Sequence, residues 1–198
     1  MGPKEKTIID AAVQVFLRYG VKRASMQDIA GEAGIARQTL YNTYANKDDI
    51  LRAAIRHFNE VAIAAIRAEL GSANDLNSQI RLVFDEMALK PYAMLHASPN
   101  AQDLIEGFNE AGRTELEEAA LHYRGLLGEV LAPHAPALAV AGLTPEGLAE
   151  VLQRAAAAFK YQAESEAHLA RLLDGLAGLA ASAAGDAPAR LLKAPQKA

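Results

Sequence analysis

The chain has 198 residues, with 20 Lys and Arg against 24 Asp and Glu, a formal net charge of −4 and no Cys. The absence of Cys excludes disulfides, thiol catalysis and Cys-ligated metal sites. Hydrophobic residues make up 51% of the chain and aromatic residues only 6%. Much of the apolar content is alanine, which favours helices. We therefore expect an all-α protein.

The longest stretch without Asp, Glu, Lys or Arg is 130–145, which is too short to span a bilayer and contains three prolines. The N-terminus opens a charged amphipathic segment, which argues against a signal peptide. We expect a cytoplasmic protein with no membrane contact.

Apolar spacing and capping signals predict about nine helices, at 4–19, 25–33, 37–44, 46–70, 76–87, 98–109, 113–131, 144–164 and 168–179. The fifth is expected to stop before Pro91. Ser98 and Thr144, each followed by Pro, are expected to cap the sixth and the eighth. Residues 185–198 show no periodicity and are predicted to form a flexible tail.

The negative net charge is unevenly distributed. Residues 1–60 carry nine Lys and Arg against seven Asp and Glu, whereas 61–198 carry eleven against seventeen. An acidic body repels a polyanion, so any nucleic-acid contact is expected in the N-terminal third. An excess of two positive charges is small, however, and does not decide the question alone.

Residues 25–44, SMQDIAGEAGIARQTLYNTY, have the pattern of a helix-turn-helix. Ala30 supplies the small residue where two helices approach, and Gly34 supplies the turn. The residues expected to fix the crossing are apolar: Ile29, Ala33, Ile35 and Leu40. Short helix pairs of this kind also occur in ordinary bundles.

The second helix of this motif is expected to turn polar side chains outward: Arg37, Gln38, Thr39, Tyr41 and Asn42. Arg suits guanine, Gln and Asn suit adenine, and the Thr and Tyr hydroxyls suit phosphates. The motif therefore predicts binding to double-stranded DNA.

Residues 4–60 resemble the N-terminal domain of the TetR family of bacterial transcriptional regulators. The resemblance rests on IIDAAVQVFLRYG (8–20) and SMQDIAGEAGIARQTLYNTYANKDDIL (25–51). The positions that match the family pattern are Phe16, Gly20, Ile29, Ala30, Ala33, Gly34, Thr39, Leu40, Tyr41, Lys47 and Leu51.

Three residues depart from the family pattern. Ala36 stands where the family usually has a Ser that caps the recognition helix, and such a loss costs about 1 kcal/mol. Gln38 replaces a small residue and adds a base reader. Tyr44 replaces Phe and joins the interface if its hydroxyl reaches phosphate.

The resemblance implies a role for each matching polar residue. Thr39, Tyr41 and Lys47 would hold the DNA backbone, Arg37 and Gln38 would face base edges, and Asn42 could do either. Ser25 and Gln27 would present the start of the preceding helix to a phosphate. The alternatives are a half-buried core tyrosine for Tyr41 and a solvated lysine for Lys47.

The resemblance also implies a division of the chain. Residues 3–62 would form the DNA-binding domain, and 63–184 the ligand-binding and dimerisation domain. The last two helices, about 144–183, would pair with a second copy as a four-helix bundle, placing two DNA-reading helices over a near-palindromic operator. Packing of this apolar face within one subunit is the alternative.

In the family the middle helices enclose a pocket for a small-molecule effector. Candidate wall residues are Phe58, Phe84, Met87, Tyr92, Met94, Phe108, Tyr123 and Phe159, with His96 and His122 as polar groups. The aromatic members equally suit an ordinary core. The five His show no metal-ligand spacing, so neither a metal nor another cofactor is expected.

These expectations add up to a ligand-responsive transcriptional regulator, a repressor that an effector releases from its operator. The alternative is a helical small-molecule-binding protein or enzyme with an incidental helix-turn-helix. No Ser/His/Asp set, Gly-rich phosphate loop or paired-carboxylate motif supports catalysis, so we expect no enzyme.

Overall fold

The computed structural model describes residues 1–186, and these contain helices and no strand. Residues 187–198, most of the predicted tail, lie outside the described part of the chain. The α-helices are α1 (Pro3–Tyr19), α2 (Met26–Glu32), α3 (Arg37–Tyr41), α4 (Lys47–Glu69), α5 (Leu76–Phe84), α6 (Lys90–His96), α7 (Ala101–Ala111), α8 (Arg113–Leu131), α9 (Ala135–Val140), α10 (Pro145–Gln162) and α11 (Glu166–Ala183). The predicted all-α class is confirmed, with α6 and α9 in addition to the nine expected helices.

The predicted stop before Pro91 is wrong. A π-helical turn, Asp85–Leu89, joins α5 to α6, and the backbone amide of Lys90 donates to the carbonyl of Asp85. Pro91 lacks an amide proton and its ring crowds the carbonyl four residues earlier in a regular α-helix. The wider turn shifts the hydrogen-bond register by one residue, so the helix continues across the proline.

The helix-capping predictions were partly correct. Thr144 caps α10, since its hydroxyl oxygen accepts from the Gly147 amide at 3.1 Å. Ser98 does not cap α7, which begins at Ala101. Gly185 and Asp186 belonged to the predicted tail but form a turn directly after α11, where the Asp186 amide donates to the Ala181 carbonyl at 2.9 Å.

The described chain forms two compact units. Unit 1 comprises Met1–Val61 and Ala93–Ala119, and unit 2 comprises Ala62–Tyr92 and the described residues from Ala120 onward. The boundaries therefore fall inside α4, α6 and α8. The predicted functional domains, 3–62 and 63–184, are a different division and stay a prediction.

The apolar core of unit 1 is formed by side chains of the first four helices, α1 through α4, together with α7. Its fully buried members include Ile8, Phe16, Ile29, Leu40, Ile50, Leu51 and Leu104. Leu104 comes from α7, so this core is not built from the N-terminal third alone.

Two residues just before α7 donate hydrogen bonds to the last backbone carbonyls of α1. The Ser98 hydroxyl donates to the Leu17 carbonyl at 2.7 Å, and the Asn100 side-chain amide donates to the Arg18 carbonyl at 3.0 Å. The last carbonyls of a helix have no partner within it. Ser98 and Asn100 therefore supply hydrogen-bond donors to these carbonyls, although they lie more than 80 positions later in the sequence.

The same segment changes the charge of unit 1. Residues 93–119 carry six Asp and Glu against one Arg, which outweighs the small positive excess of residues 1–60. Lys22 pairs with two of these acids, at 2.8 Å to Glu106 and 3.8 Å to Asp103. Unit 1 as a whole is therefore acidic, and the N-terminal charge excess expected from the sequence is not a property of the unit.

Unit 2 is a helical bundle in which α11 packs against α5 and α10, and α10 also packs against the π-helical turn. Arg81 of α5 donates to the Ala170 carbonyl at 3.1 Å and forms an ion pair with Asp174, both on α11. Its fully buried side chains include Ile80, Val83, Phe84, Leu127, Leu169 and Leu173.

No single helix of the described residues is both long and apolar enough to cross a membrane. The stretches 113–140 and 145–162 meet the length and composition requirement only as a pair, across a bend of 109°.

Gly107 is where α7 approaches the loop between α1 and α2. A Cβ at Gly107 would lie 2.8 Å from the Cβ of Val21. We expect Gly107→Ala to lower the free energy of unfolding by about 1–3 kcal/mol, because one of the two segments must move. Thermal or urea unfolding measures this.

The matched control is Gly125→Ala in α8, where a Cβ meets nothing within 4 Å. That change should raise stability by about 0.5–1 kcal/mol. Equal effects of the two substitutions would contradict the close approach at Gly107.

The start of α2 is a reciprocal capping box. The Ser25 hydroxyl oxygen accepts from the Asp28 amide at 3.2 Å, and an Asp28 carboxylate oxygen accepts from the Ser25 amide at 3.0 Å. The same carboxylate oxygen accepts from the Ser25 hydroxyl at 2.6 Å. The hydroxyl first, and then the backbone amide, hold the pKa of Asp28 below its usual value.

A lowered folded-state pKa means that the Asp28 contribution is present above the unfolded-state pKa of 3.8 and is lost as pH falls through the folded-state value. We expect Asp28→Asn to flatten the loss of stability below this pH, measured as Tm against pH. Ser25→Ala, which removes the strongest donor, should give an intermediate slope. Parallel curves for Asp28→Asn and the wild type would contradict this role.

Candidate nucleic-acid interface

The turn between α2 and α3 lies where the sequence predicts it. Gly34 has φ of +63°, and a Cβ there would meet nothing within 4 Å. The backbone conformation, and not the available space, is what requires glycine. The Gly34 amide donates to the Gly31 carbonyl at 3.2 Å, and the Ile35 amide to the Ala30 carbonyl at 3.1 Å. These bonds close α2 and direct the chain into α3.

Helix α3 is shorter than the predicted 37–44, because it ends at Tyr41. Its N-cap is Ala36, which makes no side-chain capping bond. The helix is anchored instead by Leu40, which is fully buried in the core of unit 1. The outward side of α3 is therefore fixed by one buried leucine.

Four of the predicted DNA-contacting side chains, Arg37, Gln38, Tyr41 and Asn42, are exposed on this outward side, and Thr39 is partly exposed. They form two pairs. Arg37 Nη2 donates to the Tyr41 hydroxyl at 3.3 Å, and its guanidinium carbon lies 5.3 Å from the Tyr41 ring centroid. Gln38 Nε2 donates to Asn42 Oδ1 at 3.0 Å.

These pairs leave hydrogen-bonding groups for a ligand. The remaining guanidinium N–H groups suit the two acceptors of guanine in the major groove. The Gln38–Asn42 pair keeps the Gln38 carbonyl oxygen as acceptor and the Asn42 amide nitrogen as donor. Adenine presents the complementary donor and acceptor.

Ser25 and Gln27 lie at the exposed start of α2, as the sequence predicts. The Ser25 amide and hydroxyl, however, both donate to the Asp28 carboxylate. The negative charge of Asp28 therefore stands at the helix end that was expected to face a phosphate. The phosphate contact of Ser25 and Gln27 stays a prediction.

Lys47 lies at the start of α4, which Asn46 caps by accepting from the Asp49 amide at 2.9 Å. The Lys47 ammonium donates to the carbonyls of Val21 at 2.7 Å, Lys22 at 3.2 Å and Ala24 at 3.2 Å. An ammonium has three N–H donors, so all three are used within the protein. Lys47 thus ties the loop between α1 and α2 to α4, and its phosphate contact stays a prediction.

Tyr44 is partly buried and packs against the core of unit 1. Burial raises the pKa of its hydroxyl above the ordinary value. This is the environment of a core-edge residue, and the structure does not test its predicted contact with phosphate.

The ten residues predicted to line an effector pocket fall in different units. Phe58, Met94, His96 and Phe108 lie in unit 1, and Phe84, Met87, Tyr92, His122, Tyr123 and Phe159 lie in unit 2. His96 and His122 are exposed, whereas Phe84 and Tyr123 are buried, and burial raises the pKa of Tyr123 to about 12. No cluster of His, Asp and Glu suited to a metal ion occurs in the part of the chain that the structure describes.

Sequence reasoning missed one group of charged residues. The acids of α7 that pair with Lys22 are far away in sequence, and nothing local signals the contact.

Comparison with known proteins identifies the helix-turn-helix. The family described as "Bacterial regulatory proteins, tetR family" matches residues 8–54. The HTH-type transcriptional regulator YezE of Bacillus subtilis is 35% identical over 79 residues, which are 40% of this chain and 41% of that protein. The HTH-type transcriptional repressor LfrR of Mycolicibacterium smegmatis is 32% identical over 87 residues, 42% of this chain and 45% of that protein. The chain thus spans less than half the length of each.

Beyond the helix-turn-helix, the fold of the chain is similar to that of solved transcriptional regulators. The crystal structure of the transcriptional regulator FadR from Bacillus subtilis, in complex with stearoyl-CoA, covers 90% of this chain and 98% of its own, with a TM-score of 0.63 and 19% identity. The matched family and these relatives are transcriptional regulators and not enzymes. Residues 8–54 therefore match the tetR family of bacterial regulatory proteins, and the chain shares the fold of the FadR structure over nine tenths of its length.

Proposed function

We propose that this protein is a dimeric, sequence-specific DNA-binding regulator that represses transcription in the cytoplasm until a small-molecule effector releases it from DNA. The observation that carries this proposal is the outward side of α3, where Arg37, Gln38, Tyr41 and Asn42 are exposed and paired above the buried Leu40. Side chains held in this way lose little freedom on binding DNA.

The two pairs suggest distinct roles on DNA. The Gln38–Asn42 pair would read an adenine, and the Arg37 guanidinium, held against the Tyr41 ring, would read a guanine. Tyr41 and Thr39 would hold phosphates through their hydroxyls. The main role of Lys47 would be to hold the loop between α1 and α2 in place.

A second copy of the chain would pair through α10 and α11. Exposed apolar side chains on these helices define the α10–α11 surface: Val151 (57% exposed), Tyr161 (55%) and Leu179 (71%). Gly175 and Gly178 of α11 have open space where a Cβ would stand, so a second backbone can approach closely. Two-fold pairing fits a near-palindromic operator.

An effector would act by binding better to the conformation that does not fit the operator. Helix α4 contributes to both units, and we propose it as the path of this coupling. Two relatives support repression and effector binding: LfrR is named a repressor, and the FadR structure holds stearoyl-CoA. The alternative, a binding protein or enzyme with an incidental helix-turn-helix, is not favoured by these relatives.

The α3 assignment is tested by comparing Gln38→Ala with Tyr41→Ala. Gln38→Ala should weaken binding to the preferred DNA about 5–150-fold and leave random-sequence DNA nearly unchanged, since a base contact contributes about 1–3 kcal/mol of discrimination. Tyr41→Ala should weaken binding to both. Fluorescence anisotropy at fixed salt measures both affinities.

The matched control is Gln14→Ala, an exposed glutamine on α1. It should change neither affinity. Folded Gln38→Ala and Tyr41→Ala proteins that bind every DNA like the wild type would refute the assignment of α3.

The dimer is tested by the double substitution Val151→Asp and Leu179→Glu. Charges on the α10–α11 surface should convert the dimer to a monomer in sedimentation analysis, because burying them unpaired is costly. The control is Val140→Asp on α9, at a residue that is 91% exposed and outside this surface. A double variant that stays dimeric would place the interface elsewhere.

A further inference from the structure

The loop between α1 and α2, residues 20–25, is held by hydrogen bonds from two other helices. On one side, the Lys47 ammonium of α4 donates to three of its carbonyls. On the other side, the Asp103 carboxylate of α7 accepts from the Lys22 amide at 3.1 Å. A Cβ at Gly20 would collide with the same carboxylate. The backbone that carries Lys22 is therefore fixed against α7.

The Lys22 side chain is exposed, but its charge is already paired. Its ammonium donates to Glu106 Oε2 at 2.8 Å and lies 3.8 Å from Asp103 Oδ1. The hydrogen bond to Glu106 raises the pKa of Lys22 above its ordinary value, and the same bond lowers the pKa of Glu106. Glu110 follows Glu106 by four positions, the spacing of one helix face, and its charge also raises the pKa of Lys22. Lys22 thus faces three acids of α7.

Asp103 and Glu106 differ in what they do for the fold. Asp103 accepts from the backbone of the loop, at the point where Gly20 leaves room for its carboxylate. Glu106 is exposed and accepts from two side chains, those of Lys22 and Gln102, the second at 2.9 Å. Exposed pairs of this kind contribute little to stability. The fold therefore explains an acid at position 103 but not one at position 106.

Lys22 lies close to the helix-turn-helix that is proposed to bind DNA. It precedes Met26, the first residue of α2, by four positions, so the two Cα atoms are at most about 14 Å apart. In helix-turn-helix proteins the first helix crosses the DNA backbone. A lysine beside that helix suits a phosphate, which attracts a positive charge whatever the base sequence. Glu106 and a DNA phosphate would then compete for one ammonium.

We propose that Lys22 is a phosphate-binding residue that Glu106 withholds from DNA, so that α7 lowers the affinity of the protein for DNA of any sequence. This inference rests on the proposed function and adds a DNA-binding residue and its internal competitor to it. To reach a phosphate, the Lys22 ammonium must leave Glu106, and breaking that pair offsets part of the gain on DNA. Neutralising Glu106 removes this penalty, since the loop backbone stays fixed by Lys47 and Asp103.

A double-mutant cycle on DNA binding by the full chain tests the competition. The probe is a fluorescent random-sequence duplex, and anisotropy gives its affinity at several salt concentrations. Glu106→Gln should strengthen binding about 1.5- to 5-fold, the range expected when an exposed ion pair no longer has to break. Lys22→Met should weaken binding and reduce the steepness of log K against log salt concentration by about 0.9, since one phosphate contact is lost. In the Lys22→Met background, Glu106→Gln should no longer strengthen binding.

Two matched controls separate this pair from a general effect of charge. Glu117→Gln removes an exposed acid of α8 in the same unit, and its effect on affinity should be the same with and without Lys22. Arg23→Met removes the exposed cation next to Lys22, and Glu106→Gln should still strengthen binding in that background. The Tm of each variant verifies that it is folded.

A gain from Glu106→Gln that is equal with and without Lys22 would overturn the inference, because Glu106 would then act by repelling DNA directly. The absence of any gain would overturn it too, as would a large fall in Tm, which would assign Glu106 a structural role. If the wild type and Glu106→Gln bind neither this duplex nor fragments of genomic DNA, the proposed function fails and the inference fails with it. If the wild type binds DNA and the cycle is additive, only the role of Lys22 fails.

Discussion

The polar face of α3 depends on the burial of Leu40. A helix of five residues is not stable alone in water, and α3 lacks a side-chain cap at Ala36. Its position is therefore fixed by Leu40 in the core of unit 1 and by the tight turn at Gly34. Because Leu40 faces the core, the side chains at positions 37, 38, 41 and 42 lie on the opposite, exposed side of α3. The surface proposed to recognise DNA thus depends on an apolar contact.

The core that holds Leu40 needs more than the N-terminal residues. Leu104 of α7 belongs to it, Ser98 and Asn100 complete the end of α1, and Lys47 holds the loop that follows. Helices α2 and α3 are thus attached to a segment from the middle of the chain. That segment is acidic, so the exposed α3 surface proposed to bind DNA belongs to a unit whose net charge is negative.

Local signals in the sequence predicted the features that local chemistry decides. The capping box of Ser25 and Asp28, the turn at Gly34, the Asn46 cap and the Thr144 cap each involve residues within four positions of one another, so their spacing is visible in the chain. The polar face of α3 followed from the same periodicity.

Features that depend on distant partners could not be predicted. The helix across Pro91 needs a π-helical turn, and its neighbours α10 and α11 support it. Ser98 looked like a helix cap, but the Leu17 carbonyl is its partner. Lys47 was expected to hold the DNA backbone or to be solvated at a helix start, whereas its ammonium donates hydrogen bonds to three carbonyls of the preceding loop. In each case the deciding partner lies at least 20 positions away or on another helix.

The proposed function depends on sequence-specific recognition of DNA by a two-fold dimer. The most direct measurement is selection of bound fragments from randomised and genomic DNA by the purified protein at fixed salt, before and after removal of ligand by unfolding and refolding. Recognition by a two-fold dimer predicts enrichment of a near-palindromic site whose half-sites are about one helical turn, or a multiple of it, apart. Failure of the folded dimer to enrich any sequence, in both preparations, would contradict it.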